Sequence, residues 1–128
     1  SLVGEVLAAR DRRFFEQADV LQVRALFDAL AGWVAREGAR GCLFLRIVGE
    51  TGGMEPAIVA AVQAHKARLS ECVARIVEAD LGRADDVLAA RIVLLFEGAV
   101  AASAWQGGAA IEVARGAADD LVEAARAA

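Results

Sequence analysis

The chain has 128 residues, 58% of them apolar, and a formal net charge of -4. This length suffices for one compact domain. The charge argues against a nucleic-acid surface, because phosphate binding needs clustered Lys and Arg and the only lysine is Lys66. One proline and no tyrosine favour helices over strands, so we expect an all-α fold.

Two helices are predicted before Gly38. The first runs from about Leu2 to Phe15, and its basic residues lie among acidic ones, which predicts a solvated face: Arg10, Arg12 and Arg13. The second follows Asp19 and Gln22, which resemble a capping box. Its apolar residues recur at alternating spacings of three and four, as in an amphipathic helix: Val20, Val23, Phe27, Leu30 and Val34.

A short apolar run and a long helix come next. Residues Gly41 to Gly49 suit either a buried strand or a buried helix, and we predict a short third helix because nothing elsewhere would pair with a strand. Pro56 suits the first turn of a fourth helix, which its apolar periodicity extends to Leu81 and which Gly82 ends.

The last two predicted helices span about Ala84 to Trp105 and Ala109 to Ala127, and Gln106, Gly107 and Gly108 divide them. The fifth is apolar around almost its whole circumference, which indicates burial on more than one side. Its most apolar stretch, Ile92 to Trp105, is interrupted by Glu97 and is shorter than the roughly 20 residues of a bilayer span, so we expect a core helix and no membrane association. The sixth carries a narrow stripe of small residues that buries little surface, so we expect a partner subunit to supply further contact.

Few residues in the sequence suit catalysis or metal binding. His65 is the only histidine, so we expect no metal site and no cofactor. Cys42 and Cys72 are far apart in sequence, with no secretory signal before them, which predicts reduced, inert thiols in a cytoplasmic protein. The sequence lacks a phosphate-binding glycine loop, a serine elbow and a nucleophile and base pair, so we do not expect an enzyme.

Three segments resemble the C-terminal domain of TetR/AcrR-family bacterial transcriptional regulators. They are Arg40-Gly41-Cys42-Leu43-Phe44, Ala64-His65-Lys66-Ala67-Arg68-Leu69 and Leu94-Leu95-Phe96-Glu97-Gly98-Ala99. The similarity runs over nearly all the chain, as a single ligand-sensing and dimerisation domain. It implies a six-helix orthogonal bundle whose last two helices form a four-helix bundle with a second copy. The family's N-terminal helix-turn-helix domain has no counterpart here, so DNA would be bound only through that missing domain.

The resemblance further implies an apolar cavity for a small-molecule effector, whose binding displaces the first helix. Candidate wall residues lie on facing stripes and suit a filled core as well as a cavity: Phe14, Phe27, Leu30, Trp33, Phe44, Ile47, Met54, Ile58, Val62, His65, Leu69 and Phe96. The dimer residues implied on the last two helices are Leu88, Arg91, Ile92, Leu95, Ala99, Ala102, Gln106, Ile111, Ala114, Ala118, Leu121 and Val122.

One rival function and one polar residue stay open. The rival is a helical homodimerisation module with no small-molecule ligand. Glu97 lies in the most apolar segment, where a buried carboxylate needs a donor or a proton. We hypothesise that Glu97 contacts the effector or closes the dimer, with a donor among Arg91, Trp105 and His65.

Overall fold

The computed structural model describes residues 5, 8–10, 12–14, 20–37 and 56–128. Within these ranges there is no strand, which confirms the all-α prediction. Four helices have defined bounds: α1 (Val23–Glu37), α2 (Pro56–Leu81), α3 (Asp86–Gln106) and α4 (Gly108–Ala127). The described residues between 5 and 14 are also helical. The predicted third helix, residues 41–49, lies outside the described residues.

The turn between α2 and α3 follows from its sequence. Gly82 has φ of 79°, a conformation that favours glycine, and its N–H donates to the Glu78 carbonyl at 2.8 Å, which ends α2 where predicted. Asp85 is the N-cap of α3, because its side chain accepts the Leu88 N–H at 3.0 Å. Helix α3 therefore begins at Asp86, two residues after the predicted start at Ala84.

Helices α3 and α4 form a hairpin around Gly107. This glycine has φ of 63° and ψ of -149°, which side-chain-bearing residues rarely adopt. Ala110, Ala114 and Ala118 on α4 are buried. Such small side chains let the axes of two helices approach closely, so the hairpin is tightly packed.

Helix α1 packs antiparallel on α4. Arg24 pairs with Asp119 at 3.6 Å and Asp28 pairs with Arg115 at 2.7 Å, so residue numbers rise along one helix as they fall along the other. The hydrogen bond from Arg115 to Asp28, together with the charge of Glu112, raises the pKa of the Arg115 guanidinium. These ion pairs cover the outer seam between the two helices.

The first N–H group of α1 is satisfied by the end of α2. The Val23 N–H donates to the Asp80 carboxylate at 2.8 Å, which also pairs with Arg126 of α4. Arg126 further donates to the Asp80 carbonyl at 2.9 Å. Asp80 thus joins three helix ends, whereas Asp19, the predicted cap, lies outside the described residues.

Candidate functional site

Four aromatic rings meet at the centre of the described chain. Phe14 lies 5.6 Å from Trp33 and 5.6 Å from Phe96, between ring centroids, and Phe27 lies 6.2 Å from Phe96. All three pairs are edge-to-face, an arrangement that aromatic quadrupoles favour. This aromatic cluster links the N-terminal helical residues to α1 and α3.

The structure brings many of the predicted wall residues into the interior. Those that are buried are Phe14, Phe27, Leu30, Trp33, Ile58, Leu69 and Phe96. Val62 and His65 on α2 are half-buried, and Phe44, Ile47 and Met54 lie outside the described residues. Contact with an effector stays a prediction, because these positions suit a packed core as well as a cavity wall.

Part of the face of the first helix that was predicted to be solvated contacts an aromatic ring. The guanidinium groups of Arg10 and Arg13 lie 5.9 Å and 5.8 Å from the Trp33 ring centroid. Arg10 is half-buried, whereas Arg12 and Arg13 are exposed as expected. A cation over the face of an indole is attracted to it, so these arginines also hold the first helix against α1.

The partner of Glu97 is Lys66, and none of the three donors that we expected. The Lys66 ammonium contacts the Glu97 carboxylate, joining α2 to α3. The side chains are 51% and 29% exposed, so Glu97 lies at the edge of the core, where water reaches the pair. Sequence reasoning named His65, the residue next to Lys66, because the side of α2 that faces Glu97 depends on how α2 packs on α3.

The surface of α3 that faces away from the core is mostly apolar. We call it the outer face: Val87, Arg91, Leu94, Gly98, Ala101 and Trp105, which recur at spacings of four, three, four, three and four along the helix. Val87 is 62% exposed, Leu94 71% and Trp105 77%. On α4, Val113 is 74% exposed. The outer face is therefore a largely exposed stripe within the described chain, apolar except for Arg91.

The predicted dimer residues mostly lie elsewhere on the helices. Seven are buried by contacts within one chain: Leu88, Ile92, Ala99, Ile111, Ala114, Ala118 and Val122. Leu95, Ala102 and Leu121 are half-buried, and Arg91 and Gln106 are exposed. On α3 the outer face is offset by one residue from the predicted stripe, about 100° around the axis. Dimerisation stays a prediction; on α3 the structure buries Leu88 and Ile92 and exposes Val87 and Leu94.

The charged end of the molecule has an open cleft of about 320 Å³. It is lined by Gln22, Arg24, Asp80, Asp119, Val122, Glu123 and Arg126. Its two arginines pair with its three acids, Arg24 with Asp119 and Arg126 with both Asp80 and Glu123. Among the described residues, no group of three or more His, Cys, Asp or Glu suits a metal ion.

Helix α3 is also long and apolar enough to cross a membrane, judged by length and composition alone. One-third of its most apolar window is buried inside the chain. A core helix of a soluble protein passes the same test, so a single helix of this kind is weak evidence.

Comparisons with known proteins do not identify a relative. No family model matches the sequence, and no curated protein or solved structure shows significant similarity to it.

Proposed function

We propose that the chain is the effector-binding and dimerisation domain of a TetR-type transcriptional regulator of the bacterial cytoplasm. The observation that carries the proposal is the outer face of α3, where Val87, Leu94 and Trp105 are each more than 60% exposed along one line. Apolar stripes of this kind on a soluble domain mark interaction surfaces. A second copy of the chain would cover this one.

The size of the surface favours a dimer that uses both helices of the hairpin. Helix α3 has 21 residues and is about 31 Å long, and two adjacent helices are about 20 Å wide. Their combined face offers about 600 Å² per chain, or about 1,200 Å² in total, which is the lower end for a stable interface. Helix α3 alone offers about half of that, so Val113 and its neighbours on α4 would also be covered.

The effector-binding part of the proposal rests on the aromatic cluster and α2. Phe14 connects the N-terminal helical residues to Trp33 and Phe96 through edge-to-face contacts. An apolar molecule that moved either ring would also move Phe14, and with it the helix that a DNA-binding domain would precede. On α2, half-buried His65 stays a predicted contact of the effector. Ligand would shift the equilibrium only by binding one arrangement more tightly than the other.

The rival function is a homodimerisation module without a ligand. It is favoured by the same cluster, because rings whose centroids lie 5.6 Å apart already fill the space between one another. The two functions share the dimer and differ only in whether a molecule binds inside it.

Native mass spectrometry separates these functions in one measurement. We expect a dimer for the wild-type chain and a monomer for Leu94→Glu, whose charge would be buried in the interface. Ala74→Glu on the exposed face of α2 is the matched control and should stay dimeric. An extra few hundred daltons on the dimer supports effector binding, and a dimer that carries no mass with any apolar compound tested supports the rival. A wild-type monomer at tens of micromolar would contradict both.

A further inference from the structure

We propose that two copies pair through antiparallel α3 helices, with Leu94 of each packing over Gly98 of the partner subunit. The inference rests on the proposed homodimer and goes beyond it by naming the residues that meet. It follows from the sizes and charges of the side chains on the outer face.

Leu94 and Gly98 form a projection and a recess on one face. Leu94 is 71% exposed, and Gly98 lies one turn later on the same side of the helix. A Cβ atom added at Gly98 would meet no heavy atom within 4 Å, so the space above this glycine is open in the monomer. A side chain from a second helix fits there as a knob fits a hole.

The same register matches a second pair of residues. When residue 94 of one antiparallel helix faces residue 98 of the other, the midpoint of the alignment is at the level of Phe96. In the same alignment residue 87 of one helix faces residue 105 of the other. The alignment therefore places Trp105, the largest exposed side chain of α3, against the partner's Val87, which is smaller and also exposed. Two size matches thus support one alignment.

Charge also favours the antiparallel alignment. Arg91 is exposed on the outer face, between Val87 and Leu94, and forms no ion pair with the described part of the chain. Parallel helices in register would place the Arg91 guanidinium next to that of the partner's Arg91, and these two positive charges would repel each other. In the antiparallel alignment Arg91 faces the partner's Ala101, and the helix dipoles oppose each other favourably.

A size-swap experiment tests the pairing. Gly98→Leu should weaken dimerisation about 10- to 100-fold, because two leucines then compete for one recess. Leu94→Ala should weaken it about 10-fold, because the knob is lost. The double variant Leu94→Ala, Gly98→Leu exchanges knob and recess and should return the dissociation constant to within about threefold of wild type. Ala74→Leu on α2 is the control for an added exposed leucine and should leave dimerisation unchanged.

Sedimentation equilibrium gives the dissociation constants, and circular dichroism checks that each variant is folded. Gly98→Leu should fold well, since leucine favours helix more than glycine does. A wild-type dimer whose size-swap variant is no better than Gly98→Leu would overturn the pairing while leaving the proposed function intact. A wild-type monomer would overturn both.

Cross-linking tests the direction of the helices independently. The double variant Val87→Cys, Trp105→Cys should form disulfide-linked dimers under mild oxidation, and Val87→Cys alone should not, with the wild-type chain as the background for Cys42 and Cys72. Efficient cross-linking by Val87→Cys alone would mean parallel helices and would overturn the inference.

Discussion

The two faces of α3 have similar composition and opposite surroundings. On the inner face Leu88, Ile92 and Phe96 are at most 5% exposed, whereas on the outer face Leu94 and Trp105 are more than 70% exposed. The inner face completes the core with α1 and α2, and nothing in the described chain covers the outer one. The difference teaches that the apolar content of this helix exceeds what one copy buries, and the excess lies along one side of the helix, where Arg91 interrupts it.

The largest expected effect separates these faces directly. Phe96→Ala removes a ring that contacts both Phe14 and Phe27, so it should lower the free energy of unfolding by about 3–5 kcal/mol. Leu94→Ala should lower it by less than about 0.5 kcal/mol, because the side chain is exposed. Urea denaturation checks both, at a concentration low enough to keep the chain monomeric, since association adds apparent stability. Similar losses for the two variants would mean that the outer face is covered within one chain.

A buried aspartate and an exposed one give a second comparison between the interior of the chain and its surface. The Asp80 side chain is 8% exposed, accepts the Val23 N–H and pairs with Arg126. Asp80→Ala should therefore cost about 1–3 kcal/mol, because it leaves the start of α1 without its acceptor. Asp120 on α4 is exposed and pairs with none of the described residues, so Asp120→Ala should change stability by less than about 0.5 kcal/mol.

Hydrogen exchange gives this prediction a local readout. Amide protons at the start of α1 should exchange faster in Asp80→Ala than in wild type, while those in the middle of α3 change only as much as global stability does. Uniform changes along the chain would show that Asp80 stabilises the fold without holding the start of α1.

Two neighbouring acids at the start of α3 should differ less in how much their replacement by alanine lowers stability. Asp85 accepts the Leu88 N–H at 3.0 Å, so Asp85→Ala should cost about 1 kcal/mol through loss of the N-cap. Asp86 is exposed in the first turn and acts only through the helix dipole, so Asp86→Ala should cost about 0.3 kcal/mol. Thermal or urea unfolding of the pair under identical conditions measures the difference. Equal costs would mean that Asp85 also acts only by its charge.

Several of the helix ends could be predicted from the positions of proline and glycine in the sequence. Pro56, Gly82 and Gly107 act through backbone conformation, which needs no knowledge of distant residues, and the observed ends of α2 and the hairpin turn agree with them. The aromatic cluster could also be predicted from the sequence. Phe14, Phe27 and Trp33 lie on apolar stripes, and stripes of neighbouring helices face a common core.

The orientation of α3 about its axis could not be predicted in the same way. Periodicity gives a direction only when one side of a helix is polar, and the fifth predicted helix is apolar nearly all round. The stripe containing Leu88 and Ile92 and the stripe containing Val87 and Leu94 therefore looked alike in the sequence. Which one enters the core depends on packing against α1, α2 and α4.

Long-range polar contacts were beyond the sequence for a different reason. Val23 meets Asp80 across 57 residues, and Lys66 meets Glu97 across 31. Local rules such as capping boxes and pairs four residues apart operate within a few turns of one helix. Sequence reasoning offered Arg91, Trp105 or His65 as the donor to Glu97, whereas the tertiary packing of α2 on α3 supplied Lys66.

The smallest expected effect concerns that pair. Glu97→Gln removes a partly exposed ion pair and should cost about 0.2–1 kcal/mol, with a smaller loss at high salt because ions screen the attraction. Lys66→Met breaks the same pair from the other side and is the matched control. If Glu97 contacts an effector or the partner subunit, Glu97→Gln should weaken effector binding or dimerisation while Lys66→Met does not. Equal and small changes in both variants would limit Glu97 to an ion pair between α2 and α3, and would leave the outer face of α3 as the feature that argues for a partner.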